Sequence, residues 1–130
     1  MAKKCFVIMP FEEKFNGIWK HVIKPAVEDT GDDCLRADDI FAPGSIIDDI
    51  INAIHEADYI IADVSEQNPN VYYELGFAHA LEKPVILLTS DISKLPFDLK
   101  QQRVIKYSDT AAGAESLKQS LKRYLTKIRL

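Results

Sequence analysis

Two acids in the stretch ADVSEQNPNVYYELGFAHA, residues 62–80, are not required by local structure. Asp63 follows the apolar run YIIA, and Glu74 lies inside a helical pattern further along. Two carboxylates at the mouth of one strand–helix unit suit acid–base or nucleophilic chemistry. Asp63 also has a plain alternative, because an Asp at a strand end often closes an Asx-turn on its own backbone. Glu74 sits about two turns into its helix, too deep to cap it or to gain much from the first-turn dipole. It borders the stripe of Val71, Leu75 and Ala78 that should face the core. A carboxylate there is costly unless it is paired, hydrogen-bonded or used, the alternative being a rim Glu that reaches solvent or a lysine. Gly76 gives up about 1 kcal/mol of helix propensity, which predicts close packing against a neighbouring element.

These acids need a scaffold, and five short apolar runs supply one: CFVIM (5–9), CLRA (34–37), YIIADV (59–64), PVILLT (84–89) and RVIKYS (103–108). The first, third and fourth are nearly continuous in apolar residues, as in strands buried on both faces. Helical patterns separate them. Phe15, Ile18, Trp19, Val22, Ile23 and Ala26 recur at helical spacing, with Pro25 expected to kink the end of that helix. Ile46, Ile47, Ile50, Ile51 and Ile54 form a second stripe, opened by a capping box of Ser45 with Asp48. A third helix starts at NPN, with Asn68 as N-cap and Pro69 in the first turn. Leu117, Leu121, Tyr124, Leu125 and Ile128 mark the last, and residues 90–102 read as a loop with a turn of helix.

A repeated β–α alternation predicts an α/β fold: a flavodoxin/Rossmann-like three-layer sandwich with a five-stranded parallel sheet in the order 2-1-3-4-5. In such sheets ligands bind beyond the carboxyl ends of the strands, near the switch point. The loops that meet there are MPFEE, DDIFAPGS and DVSEQNPN, with TSDIS nearby.

The chain of 130 residues is expected to form a single domain, 1–130, large enough for a core without staples. Apolar content of 47% and charged content of 28% are those of an ordinary globular protein. No apolar run approaches the roughly 20 residues of a membrane span, and MAKKCFVIMPF reads as a first strand rather than a signal peptide, so a cytoplasmic location is expected. A net charge of −4 argues against duplex nucleic acid as a partner, and the basic run KQSLKRYLTKIR reads as a solvated helix face. Cys5 and Cys34 lack metal-ligand or CxxC spacing and are expected as buried free thiols. His21, His55 and His79 stand at no metal-ligand spacing, so no metal or cofactor is expected.

The segment DVSEQNPNVYYELGFAHA, with IMPF upstream and IINAIHEADYIIAD before it, resembles the nucleoside 2-deoxyribosyltransferase-like superfamily. That group includes deoxynucleoside 5′-monophosphate N-glycosidases and is related in fold to Toll/interleukin-1 receptor (TIR) domains. The resemblance spans most of residues 4–90, and its specific part is Asp63 followed by Glu74-Leu75-Gly76-Phe77-Ala78. It implies cleavage or transfer at an N-glycosidic bond of a nucleoside, nucleotide or NAD-like ligand. Glu74 would attack or electrostatically support the anomeric carbon, and Asp63 would hold a sugar hydroxyl or protonate the departing base. Pro10, Phe11, Asn70, Tyr72 and Tyr73 would contact the substrate, with one of the two tyrosines simply packed. Asp38 would bind a ribose or begin a turn, and Ser45 would cap its helix or hold a phosphate. The loop SEQNPNVYY departs from the Gly-Thr type of the transferases, and ADDIFAPGS lacks a Ser-rich phosphate clamp. Relatives leave room for a homodimer or higher oligomer.

Two other classes compete. A phospho-accepting receiver domain is mimicked by Glu12, Glu13, Asp63, Thr89 and Lys106, yet Met9-Pro10-Phe11 push the acid pair away from the strand and Glu74 stays unexplained. A non-catalytic TIR-like module that senses a nucleotide or binds a protein would fold identically, with Glu74 only shaping a pocket.

Overall fold

Five runs of branched and aromatic residues pair into one parallel sheet of order β2-β1-β3-β4-β5, the order expected from the β–α alternation. The structure is a computed structural model and describes residues 2–37, 46–100 and 102–129. The strands are β1 (Lys4–Ile8), β2 (Asp33–Arg36), β3 (Tyr59–Asp63), β4 (Val85–Thr89) and β5 (Val104–Lys106). β1 pairs with β2 on one side and β3 on the other, so the chain reverses direction across the sheet between these two neighbours. Every residue of β3 is buried, as its unbroken apolar run requires of a central strand with helices on both faces.

One face carries the helical segment 13–29 and α6 (Ala111–Arg129). Segment 13–29 begins with a 3₁₀ turn (Glu13–Phe15) and one turn of α-helix, α1 (Asn16–Ile18). A π-helical stretch (Trp19–Ile23) follows, then α2 (Lys24–Asp29). Pro25 does not end this segment. It lacks an N–H and its ring crowds the carbonyl four residues back, and the π-helical stretch absorbs both effects. Lys24 instead donates to the carbonyl of Trp19, and the helix continues to Asp29. Phe15, Ile18, Trp19, Val22, Ile23 and Ala26 are buried, as their spacing predicts. Gly113 in the first turn of α6 is dictated by close approach, since a Cβ there would lie 2.0 Å from the Ser108 carbonyl oxygen.

The other face carries α3 (Ile46–Glu56), α4 (Pro69–Ala80) and α5 (Phe97–Lys100). The α3 stripe is only half core: Ile50 and Ile54 are buried, whereas Ile46 and Ile47 are 73% and 57% exposed. Asn68 caps α4 as expected, its Oδ1 accepting from the backbone N–H groups of Asn70 (2.9 Å) and Val71 (3.1 Å). Gly76 departs from expectation. It is exposed, and a Cβ built on it meets nothing within 4 Å, so no neighbouring element requires the glycine. Cys5 and Cys34 are adjacent in the β1–β2 register; both are free, with Cys5 buried and Cys34 partly so. Among the described residues no helix is long and apolar enough to cross a membrane, and no His, Cys, Asp and Glu cluster could hold a metal ion.

Candidate active site

At the carboxyl ends of β1 and β3, α3 and α4 diverge and leave a cavity of about 450 Å³. Helical periodicity explains its walls. On α4, Val71, Leu75 and Ala78 pack on the sheet, while Asn70, Tyr73, Glu74 and Phe77, at positions i, i+3, i+4 and i+7, form the adjoining stripe that lines the cavity. On α3 the isoleucine stripe is wider than its contact with the sheet, and Ile46, Ile47 and Ile51 extend it along the opposite wall. Met9, Pro10, Phe11 and Glu12, the loop leaving β1, close one end. The lining is mainly apolar, with the carboxylates of Glu12 and Glu74 and the amides of Asn68 and Asn70 as its main polar groups.

Glu74 is half-buried in this lining, and no described residue makes a hydrogen bond or ion pair with its carboxyl group. Burial alone pushes its pKa up to about 7, because an ion in an apolar wall loses hydration that nothing replaces. The residue is thus poised to exchange between carboxylic acid and carboxylate near neutral pH, a property of groups that do acid–base or nucleophilic work.

Asp63 lies elsewhere. It points to the opposite face of the sheet from α4, is fully buried, and does not line the cavity. Its Oδ1 accepts from the Ser65 backbone N–H (2.9 Å), the Asx-turn alternative, and its Oδ2 accepts from the Tyr107 hydroxyl. The Tyr107 oxygen lies 3.3 Å from Ser65 Oγ, which accepts from the Ser90 backbone N–H at 2.8 Å. The Tyr107 proton is committed to Asp63, so Ser65 Oγ–H donates to Tyr107 and a closed hydrogen-bonded chain ties together the ends of β3, β4 and β5. Burial still pushes the Asp63 pKa up, against the lowering effect of these bonds. Sequence reasoning missed Tyr107 and Ser65; the signal was a tyrosine just past β5, at the same end of the sheet as Asp63. A carboxylate sealed in this way is also not presented to a phospho-donor, which removes the basis of the receiver-domain alternative.

The remaining expected contacts divide. Pro10, Phe11, Asn70 and Tyr73 line the cavity with Glu74; Phe11 and Tyr73 are exposed at its rim. Tyr72 does not line it. Its ring packs on the core beneath α4, and its buried hydroxyl has no partner among the described residues. Asp38 and Ser45 lie outside the described residues, as does the Ser45 half of the predicted capping box. Glu12, part of the MPFEE loop expected at the crevice but not named there as a substrate contact, also lines the wall. Phe11 also carries the Arg36 guanidinium 5.7 Å from its ring centroid, and Arg36 lies 5.2 Å from the Trp19 ring on its other contact.

A five-stranded parallel sheet with a cavity beyond the carboxyl ends of its strands places the chain among the doubly wound α/β proteins, whose ligands bind there. Within that class the assignment is direct: a nucleoside 2-deoxyribosyltransferase family model matches residues 13–122, and the chain belongs to that family. No curated protein matches the sequence. Among solved structures the fold is similar to a TIR domain of a Toll-related receptor from Hydra magnipapillata (TM-score 0.77, 15% identity, 99% of this chain and 100% of that one). It is also similar to a CMP N-glycosidase from Clostridium botulinum (TM-score 0.71, 22% identity, 94% and 99%). A 2-desoxiribosyltransferase from Leishmania mexicana is a third neighbour (TM-score 0.63, 20% identity, 88% and 95%). At these identities the structural neighbours establish the shared fold.

Proposed function

We propose that this protein cleaves or transfers the N-glycosidic bond of a nucleoside, nucleotide or NAD-like substrate, with Glu74 as the catalytic carboxylate. The observation that carries the reading is a carboxyl group in an apolar cavity, without a partner among the described residues and with a pKa raised to about 7 by burial. As a carboxylate, Glu74 stabilises the positive charge that develops on the anomeric carbon, and it can close on that carbon to form a glycosyl ester. The surrounding apolar wall strengthens this interaction by excluding water. Phe11 and Tyr73 offer ring faces to a base, and Asn70 offers an amide to its edge or to a sugar hydroxyl. Asp63 acts as a positioning residue that fixes the strand ends, since its two oxygens are already engaged. Family membership and the N-glycosidase and deoxyribosyltransferase neighbours support this chemistry.

The competing reading is a non-catalytic TIR-like module that binds a nucleotide or a protein, favoured by the full-length structural match to a receptor TIR domain. Chromatographic detection of free base from nucleosides, nucleotides and NAD, with Glu74→Gln as control, separates the two. Base release that disappears in the variant is expected. Ligand binding without release in either protein would leave the module reading standing. On either reading the working location is the cytoplasm.

A further inference from the structure

The register of α3 against α4 divides the cavity into two levels. Each helix leads into the next strand of a parallel sheet, so the two run side by side in the same direction. The His55 ring of α3 meets the Phe77 ring of α4 edge to face, with centroids 5.5 Å apart and planes at 77°. That contact sets their relative level near the C-terminal ends. One turn back Ile51 faces Glu74, and a further turn back Ile47 faces Asn70, because positions three and four apart share a helix face.

Glu74 therefore stands midway down the cavity. Toward the loop leaving β1 are the Asn70 amide and the exposed rings of Phe11 and Tyr73, which form the rim. Toward the helix C-termini the walls are Ile51, Ile54 and Phe77, with Ile54 fully buried, and these form the floor. Ile54 stands about 12 Å along α3 from Ile46, at the helical rise per residue. A helical side chain leans toward its helix N-terminus, so the Glu74 carboxyl group reaches rimward and leaves the floor to the three apolar side chains.

The two levels suit different parts of an N-glycoside. Sugar hydroxyls need hydrogen bonds, which Asn70 offers at the rim. Against Ile51, Ile54 and Phe77 they would lose hydration without replacement. The floor therefore receives the base. Tyr73 lies four positions before Phe77 on α4, so a base stacked on the Tyr73 ring points its far edge at the floor. In the common bases that edge carries N–H and C=O groups, whose burial against these side chains is costly. An alkyl or aryl group in their place gains from the same surface. The cavity of about 450 Å³ falls within the range that encloses a drug-sized ligand.

We propose that the cavity takes N-glycosides whose base carries an alkyl or aryl group on the edge away from the sugar. Ile51, Ile54 and Phe77 determine this specificity by contacting that group. The group takes part in no bond change. It strengthens binding of substrate and transition state alike, which raises kcat/KM through KM.

This inference rests on the N-glycosidic reading and is tested apart from it. Cytidine and adenosine with the exocyclic amine bare, methylated, butylated or benzylated form the series, as ribo- and 2′-deoxyribonucleosides with and without a 5′-phosphate. Base release by the full chain should rise along the series. The kcat/KM of the butyl and benzyl forms should stand at least about tenfold above the bare one, since each buried methylene contributes several-fold. Ile51→Thr puts a hydroxyl on the floor, and Ile51→Phe fills it. Each should lower the butyl-to-bare ratio at least about threefold, and a ratio taken on one preparation does not depend on the fraction folded. Bare nucleosides cleaved as well as the alkylated ones, or better, overturn the inference and leave the N-glycosidic reading intact. So does a ratio unchanged in both Ile51 variants, which would trace the preference to the leaving group rather than to the floor. Absence of base release from every compound removes both.

Discussion

Asp63 and Glu74 leave the carboxyl end of one β–α unit on opposite faces of the sheet, and their surroundings are opposites as well. Asp63 is fully buried and accepts from the Ser65 amide and the Tyr107 hydroxyl, so its oxygens already hold the strand ends together. Glu74 is less buried yet makes no such bond among the described residues. A buried acid that is hydrogen-bonded is costly to remove, because its partners lose their acceptor, whereas a partly buried acid without partners can be removed without that cost and stays available for a ligand. The contrast lies in the hydrogen bonds rather than in depth, and substitutions at the two positions should separate its consequences.

The largest effect falls on turnover. Glu74→Gln keeps the shape and removes the carboxylate, so base release should fall by about 10³-fold, in the range of lost catalytic groups. Wild-type activity should rise with pH through about 7 and then level off, because the carboxylate is the working form and protonation below that value removes it. Rate measurements across pH 5–9 check this, and a profile with no inflection near neutrality would detach catalysis from Glu74.

Asp63→Ala should act on stability. It leaves the Tyr107 hydroxyl and the Ser65 N–H without their acceptor in a buried setting, at a cost of about 3 kcal/mol. Denaturant unfolding would register that loss, while the pH at which activity rises should stay where Glu74 sets it. A shifted activity profile in a still-folded Asp63→Asn variant would bring Asp63 into the chemistry and erase the contrast.

The same comparison has a signature in folding that needs no substrate. The Glu74 pKa is raised from 4.5 to about 7 in the folded protein. The folded state therefore binds the proton more tightly, and its stability falls as pH rises from about 4.5 to 7. Glu74→Gln escapes this loss. The variant should match the wild type near pH 4 and exceed it by about 2 kcal/mol at pH 8, with the screening of its partial exposure allowed for. Unfolding curves at the two pH values measure the difference, and no gain at pH 8 would mean that Glu74 is better solvated than its cavity implies.

The sheet was legible because its determinants are local and repeated. YIIADV and PVILLT read as strands buried on both faces, and the alternation with helical stripes made the order β2-β1-β3-β4-β5 the natural arrangement. The Glu74 wall was legible from the same periodicity, since a stripe bordering Val71 and Leu75 must sit at the edge of the packed face. The facing of Asp63 was not. One residue of strand register decides its side of the sheet, and the partner that engages it, Tyr107, is 44 positions away. The π-helical accommodation of Pro25 was also hidden, because proline forbids one hydrogen bond without saying how the helix will close around the gap. Ile46 and Ile47 showed the limit of pattern reading in another way, since an apolar stripe does not reveal whether it meets a core or an open cavity.

The smallest effect tests whether the unpaired acid is an isolated cost or one of several in α4. Gly76 lies two residues beyond Glu74, exposed, with open space where a Cβ would stand. No close approach demands it, so the helix gives up propensity there as it gives up solvation at Glu74. Gly76→Ala should stabilise the fold by about 0.5–1 kcal/mol, the ordinary gain of alanine at an exposed helical site. Thermal unfolding reads the gain, and steady-state kinetics on the same variant give it meaning. Higher stability with unchanged turnover would make the glycine incidental and leave Glu74 as the functional cost in this helix. Higher stability with reduced turnover would instead show that α4 must yield when the cavity fills, and would place Gly76 beside Glu74 on the functional side of the contrast with Asp63.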